Sequence, residues 1–444
     1  MSDSQEIFHA SREIHGAMDP SDSRPASFGI DWWALLTDPE HLKDPYPELK
    51  RIRQLAPIHY DSASGVYFVL GYREFGLLAK APEMGRNTRF WTNGWSSPEN
   101  KLRDPATYEL FSEFQPQMIN ANPPDHRRMR AVYEKAFRPV NMARYLPMIE
   151  AECQRLLDAL PVDTPIDFMT AFANRLPLRV SRNLFEIPPA MDKQLAHWNA
   201  ALIKIGDIMM TPDQKRDALT ALREFKAYMR DYLGSRRGDP GEGFIGMALA
   251  AFADGTMDEE ESVNNLVGLI SGNETTVTLL GNGMLTLLRH PAQFAKLRAN
   301  RDLIRSAVDE MLRYEPGINF ILRVAIGDFQ CGEVLIPAGS LAIGLVGAIN
   351  RDPARFEDPD VFDISREPNP HYIFGGGPHV CIGAALARME AQAGFTALLE
   401  RFPRIELAGE PVWWVDRTNQ RGLQTLPLRL GQGAEARTYA QTEG

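Results

Sequence analysis

The sequence predicts a mainly α fold of α+β type, with a smaller β-rich part, and three observations carry that prediction. Apolar residues recur at alternating three- and four-residue spacing through successive segments from about Met142 to Gly234, the period of helices that bury one face. A longer helical run opens on the acidic stretch at Asp258 and is halted by Pro291 after His290, a start and a stop in keeping with helix termini. Strand character is confined to short stretches: Ile58-His-Tyr with Val66-Tyr-Phe-Val-Leu, and Ile336 to Ile349, which is broken by Pro337, Ser340 and glycines.

The chain has 444 residues, 44% of them hydrophobic, ample for a sizeable core in one large domain or in two or three ordinary ones. No internal repeat is evident. A net charge of -10 argues against a nucleic-acid partner. Cys153, Cys331 and Cys381 are odd in number and widely spaced, so no disulfide framework is expected and a reducing cytoplasm fits best. The N-terminus lacks the basic head and apolar run of a signal peptide, and no stretch is long and apolar enough to span a bilayer.

Taken in order, residues 1–27 are rich in Ser, Asp, Pro and Glu, the composition of a disordered tail; residues 433–444 are expected to form a flexible C-terminal tail. Ordered structure should begin near Ile30. The two short alternating runs read as a hairpin turning at Ser62 to Gly65. From Phe90 to Met118 the pattern dissolves, as in the irregular lids of functional sites. Pro123 and Pro124 then precede a helix whose first turn holds Asp125. On it His126 and Arg130, four apart, share a face suited to a carboxylate. Arg127, Arg128 and Lys135 make that helix basic within an acidic protein, which suits docking of an acidic partner.

In the long run, Asp258 and Glu261 have capping-box spacing, and at 1.5 Å per residue the helix could reach roughly 45–50 Å. Val267, Ile270, Ser271, Glu274, Thr275 and Thr278 fall on one face. Downstream, Glu310 and Arg313 share a helical face.

The segment His371-Tyr-Ile-Phe-Gly-Gly-Gly-Pro-His-Val-Cys-Ile-Gly383 carries the most chemistry, because it joins a glycine loop to a helix expected to begin near Ile382 with Cys381 at the junction. A sulfur there is favoured as thiolate by free N–H groups and the helix dipole, and thiolate is the metal-binding form. A buried hydrophobic cysteine is the plain alternative. A nucleotide loop does not fit, since Val380 stands where a third glycine belongs. Zinc on His371, His379 and Cys381 would need a further ligand.

Phe374, Gly375, Gly377, Cys381 and Gly383 match the haem-thiolate signature Phe-Gly-x-Gly-x-x-x-Cys-x-Gly, and the chain thereby resembles the cytochrome P450 family of soluble bacterial type. Ser271-Gly-Asn-Glu-Thr-Thr276 resembles a second family motif, with Ser271 in place of Ala or Gly, and Glu310-x-x-Arg313 a third. The resemblance runs from about Ile30 to Leu430 and includes a first helix at Asp44 to Leu55.

It implies one domain at 28–432 of cytochrome P450 fold, with a helix-rich part and a smaller β-rich lobe, and haem b between the long central helix and the cysteine loop. Cys381 would be the axial ligand of the iron, favouring O–O cleavage, with Phe374 and Gly375 shielding the sulfur. His126, Arg130, Arg323 and His379 would hold the haem propionates. Glu274 would relay protons from solvent and Thr275 would hydrogen-bond activated oxygen. Glu310 and Arg313 would brace the cysteine loop together with Arg366 or His371.

The pocket would draw on Trp95, Ile119, Val267, Ile270, Ser271, Asn319, Ile321, Asn419 and Gln420; the stretch Trp198 to Met210, with Met209, either roofs it or, the simpler reading, packs in the core. The expected activity is that of a monooxygenase acting on a small, largely apolar substrate with O2 as co-substrate. Electrons would come from NAD(P)H through ferredoxin and ferredoxin reductase, or flavodoxin, to a monomeric cytoplasmic enzyme. A peroxide-driven haem enzyme and a non-catalytic haem sensor are the rival readings, and coupling, dehydrogenation or dealkylation are other outcomes of the same chemistry.

Overall fold

The computed structural model describes residues 28–208 and 210–432. The two expected tails and Met209 of the expected roof lie outside the described residues.

Helix α1 (Tyr46–Leu55) leads into strands β1 (Ile58–Asp61) and β2 (Val66–Val69). These pair antiparallel with Ile58 opposite Val69, the hairpin expected at Ser62 to Gly65. They belong to a five-stranded sheet completed by β3 (Met84–Gly85), β4 (Phe320–Ala325) and β5 (Leu341–Leu345), in the order β1-β2-β5-β4-β3. The β2–β5 pair is parallel and joins segments more than two hundred residues apart in the chain. Its own small core stacks Trp32 on Phe68 with ring centroids 3.9 Å apart. The stretch Ile336 to Ile349 yields β5 as expected, then a short helical turn at Val346–Ile349.

The lid region is more ordered than the sequence pattern suggests. Helices α2 (Pro98–Arg103) and α3 (Pro105–Glu113) lie inside it, capped by the Ser97 and Asp104 side chains. Each begins with proline at its first position, where the missing N–H costs nothing. Helix α4 (Asp125–Glu134) starts directly after Pro124 and buries His126, Met129 and Tyr133.

Helices α5 (Leu146–Asp158), α6 (Arg175–Leu184), α7 (Asp192–Leu202) and α8 (Pro212–Arg236) form the expected helical series. The long run is corrected: it is two helices, α9 (Glu259–Ser271) and α10 (Glu274–Arg289), interrupted at Gly272 and Asn273. The capping box of Asp258 and Glu261 is formed. Helix α10 is buried at every position from Thr276 to Leu287 and packs on α11 (Ile304–Tyr314) and α12 (Ala384–Arg401), which makes it the centre of the larger core. A hairpin of β6 (Val412–Trp413) and β7 (Leu423–Thr425) carries a loop that bonds to Asp207 and Ile208, beyond the end of α7.

Candidate active site

The cysteine loop is shaped by glycine where no other residue would serve. Gly375 and Gly377 have φ of +70° and +65°, and a Cβ on Gly377 would lie 2.0 Å from the Ala79 carbonyl oxygen, so the loop can lie against its neighbour only without a side chain there. The Cys381 N–H donates to the Phe374 carbonyl at 2.8 Å. Helix α12 begins at Ala384 with Gly383 as its cap, two residues later than expected. Cys381 is exposed on one side, while the enclosing protein raises its thiol; the Gly383 N–H and the charges of Arg130 and Arg388 act in the opposite direction.

Beside this loop five basic side chains converge. The His126 and His379 rings lie 3.9 Å apart. Burial, then the charges of Arg130 and Arg323, push His126 down to about 4. Burial, then His126, Arg86, Arg323 and Arg130, push His379 down to about 2. Arg323 is 1% exposed, and burial together with Arg86 lowers it to about 9. It donates to the carbonyls of Leu322 at 2.9 Å and Gly376 at 3.1 Å, while its Nε has no partner. Among the described residues no carboxylate ion-pairs with any of the five; the Glu134 charge acts on His126 from a distance.

Arginines gathered at least partly away from water without a counter-charge are costly unless an anion meets them, and the two neutral imidazoles beside them can add hydrogen bonds, so the donor set fits a group bearing carboxylates, as haem does. Arg86 was absent from the sequence-derived set. It arrives through pairing of Met84 with Ala325 and Gly85 with Val324, which sets it beside Arg323, and it donates to the Leu322 carbonyl at 3.1 Å. No local motif could have signalled a contact made by a two-residue strand with a partner more than two hundred positions away.

The interruption between α9 and α10 holds the proposed acid and hydroxyl. The Thr275 Oγ1 donates to the Gly272 carbonyl at 3.1 Å, and the Ser271 hydroxyl donates to the Val267 carbonyl at 2.5 Å. Asn273 donates to the Ile270 carbonyl at 3.1 Å and accepts from Asn199 at 3.4 Å, which ties the break to α7. Burial raises the Glu274 carboxyl, and the charge of Arg417 offsets part of that rise. Gly272 is exposed and Ser271, Glu274 and Thr275 are half-buried, whereas Val267 and Ile270 have no accessible surface and pack in the main core.

The remaining pocket candidates divide. Trp95 stacks on Phe111 at 4.7 Å and meets Trp91 edge-on at 5.3 Å. With Ile208, Met210 and Phe320 these three line a cavity of about 310 Å³. Ile119 is 49% exposed. Ile321 approaches the cysteine loop, 3.9 Å from where a Cβ on Gly375 would stand. Asn319 donates from its backbone N–H to the Asn419 carbonyl and from its side chain to the Thr418 carbonyl, both at 2.8 Å. Asn419 and Gln420 are not at a free, solvated tip: the Asn419 N–H donates to Asp207 at 3.0 Å, and Gln420 is buried and bridges to Ile318.

The Glu310 and Arg313 side chains meet on their helix. Glu310 and Arg313 are fully buried and share two hydrogen bonds of 2.8 Å. Arg366 joins Glu310 at 3.3 Å, whereas His371 pairs with Asp309 at 3.2 Å, so Arg366 is the third member. Phe374 lies under the Arg388 guanidinium at 4.5 Å. No cluster of three or more His, Cys, Asp or Glu suited to a metal ion exists among the described residues, which removes the zinc alternative there.

The sequence pattern of the family described as Cytochrome P450 matches residues 95–430. The chain belongs to the cytochrome P450 family. It is 35% identical over 393 residues to the "Biotin biosynthesis cytochrome P450" of Bacillus subtilis (strain 168), covering 88% of this chain and 97% of that one. It is 33% identical over 405 residues to the "Cytochrome P450 monooxygenase PikC" of Streptomyces venezuelae, covering 88% and 92%. The solved structure of P450BioI in complex with hexadec-9Z-enoic acid ligated acyl carrier protein aligns with a TM-score of 0.81 at 34% identity, covering 88% of this chain and 100% of that chain. As a P450 this protein is a haem-thiolate monooxygenase, an oxidoreductase of helix-rich α+β fold with small sheets. Among the described residues no helix is long and apolar enough to cross a membrane.

Proposed function

We propose that this P450 inserts one oxygen atom from dioxygen into a small, largely apolar organic substrate, with electrons supplied by a ferredoxin and its reductase. Residues 28–432 act as one domain, cytoplasmic and monomeric. The observation that carries the reading is the convergence of Arg86, His126, Arg130, Arg323 and His379, without a paired carboxylate, beside the Cys381 loop. Cys381 would hold the haem iron through sulfur, and the basic cluster would hold the propionates. Bound there, haem would supply iron-centred activation of dioxygen.

The chain's own residues handle protons and water. Burial raises the Glu274 carboxyl, and a carboxyl so raised gives up and regains a proton more evenly than a solvated one, which is the role assigned to it. The Thr275 hydroxyl donates to Gly272 within a helix break; turning by one rotamer would let it donate away from the helix. Ser271, bonded back to Val267, adds a polar patch to an otherwise apolar wall. The aromatic cavity of Trp91, Trp95 and Phe111 favours an apolar body, and the acyl chain carried in the P450BioI complex supports the same preference.

On helix α4, Arg127 and Lys135 are exposed and available to an acidic electron donor. Arg128 is committed to Glu261 at 2.6 Å and Asp125 at 3.0 Å, which narrows the basic surface expected from the sequence.

Purified protein should contain porphyrin, and its reduced carbonyl complex should show the spectrum of thiolate ligation; Cys381→Ala should lose that spectrum. Protein without porphyrin, or with the spectrum of imidazole ligation, would end this reading.

A further inference from the structure

Arg417, on the loop between β6 and β7, carries a charge that no counter-ion among the described residues meets. Its guanidinium lies over the Trp414 ring, 4.1 Å from the centroid. Its Nε is withdrawn from solvent with no hydrogen-bond partner. Two acids sense its charge, Glu274 at the helix break and Asp207 after α7. Neither closes on it, and Asp207 is already engaged, accepting from the Asn419 N–H at 3.0 Å and the Thr418 hydroxyl at 3.3 Å. On the same loop the side-chain oxygens of Asn419 and Gln420 are also withdrawn and unpartnered.

This loop stands behind the wall of the aromatic cavity, bonded to two of its lining residues. Asp207 and Ile208 line that cavity, and both bond to the loop, Ile208 through its N–H to the Thr418 hydroxyl at 2.8 Å. A partly buried cation between an apolar cavity and the catalytic helix is costly unless an anion meets it. A guanidinium fits a carboxylate in a two-pronged geometry.

We propose that Arg417 is the substrate-selecting residue of this enzyme, and that its substrates are amphipathic carboxylates whose apolar body lies among Trp91, Trp95, Phe111 and Phe320 while the carboxylate meets the guanidinium. The proposal rests on the monooxygenase reading of the site and names its substrate class.

The test is calorimetric binding to haem-loaded wild type, Arg417→Gln and Arg417→Lys, using octanoate, decanoate, dodecanoate and hexadecanoate beside the matching primary alcohols. In wild type the best-bound acid should bind on the order of tenfold more tightly than its alcohol, the scale of one charge-assisted hydrogen bond. Arg417→Gln should erase that difference while changing alcohol affinity by less than about twofold, and Arg417→Lys should restore part of it. The melting temperature of unliganded Arg417→Gln should not fall, because no native ion pair is broken.

Equal affinities for acid and alcohol in wild type, an acid preference that survives Arg417→Gln, or no binding of any alkyl acid would each overturn the proposal. A lower melting temperature with loss of alcohol binding would make Arg417 structural and overturn it too. Wild type that takes up no haem would defeat the reading of the site itself; loaded wild type indifferent to the carboxylate would defeat only the role of Arg417.

Discussion

Arg323 is a guanidinium with almost no contact with water and an unpartnered Nε, and that state makes sense only beside an anion. Arg86 stands next to it and shares the Leu322 carbonyl. Arg86→Gln should therefore weaken haem retention by on the order of tenfold, the effect of losing one charged donor, with the thiolate spectrum of the remaining loaded fraction unchanged. Transfer of haem to an acceptor apoprotein measures this, and an unaltered transfer rate would remove Arg86 from the cluster. Thr275→Ala should retain haem and substrate binding but divert electrons to hydrogen peroxide. Product formed per NAD(P)H consumed is the readout, and full coupling would refute the part given to the hydroxyl. His126, Arg130 and His379 stand out in the sequence because each lies in a short motif, and Arg323 was named only through the family resemblance. Arg86 and Arg417 do not stand out, because an isolated arginine on a strand edge or a loop has no local signature.

At the scale of elements, helix starts were written plainly and helix breaks were not. Asp258 and Glu261 announced a capping box, and it formed. Gly272 and Asn273 keep the helical period of their neighbours, so the pattern runs through them, yet the backbone is interrupted and Asn273 caps the Ile270 carbonyl instead. Pro98 and Pro105, in the stretch where the pattern dissolves, are first residues of helices. The Glu310–Arg313 pair ties α11 to the segment before the cysteine loop through Arg366 and Asn369. Glu310→Ala leaves a fully buried guanidinium without its partner, and breaking such a pair costs about 3–5 kcal/mol. The expected outcome is a matching drop in the denaturant midpoint and loss of haem-loaded protein, and a midpoint within experimental scatter of wild type would rule the brace out.

The whole molecule is closed by contacts between distant segments, and the one at Asp207 titrates. Burial raises its carboxyl to about 6 despite the Asn419 and Thr418 donors and the charge of Arg417, whereas in the unfolded chain it titrates at about 3.9. Between those values the folded form binds more protons than the unfolded one, so stability falls as pH rises through the window and levels off above it. Asp207→Asn keeps an acceptor oxygen without the charge. Its advantage over wild type should be absent near the lower limit, grow across the window, and level off above about 6 at about 1–2 kcal/mol after allowance for partial exposure. Melting curves across this range measure it, and a difference that does not change with pH would contradict the assignment.

Residue order along the chain was enough to give the helical class and the haem-thiolate signature and to single out the acid–hydroxyl and Glu–Arg motifs, because each depends on backbone angles or on side chains a few positions apart. Packing had to settle the rest: that Arg86 joins the basic cluster, that Arg366 rather than His371 meets Glu310, that the central helix is broken, and that Arg417 is left without a counter-ion. Those outcomes depend on which distant segments come together and on how much water their contact removes, and neither is fixed by any short stretch of the chain.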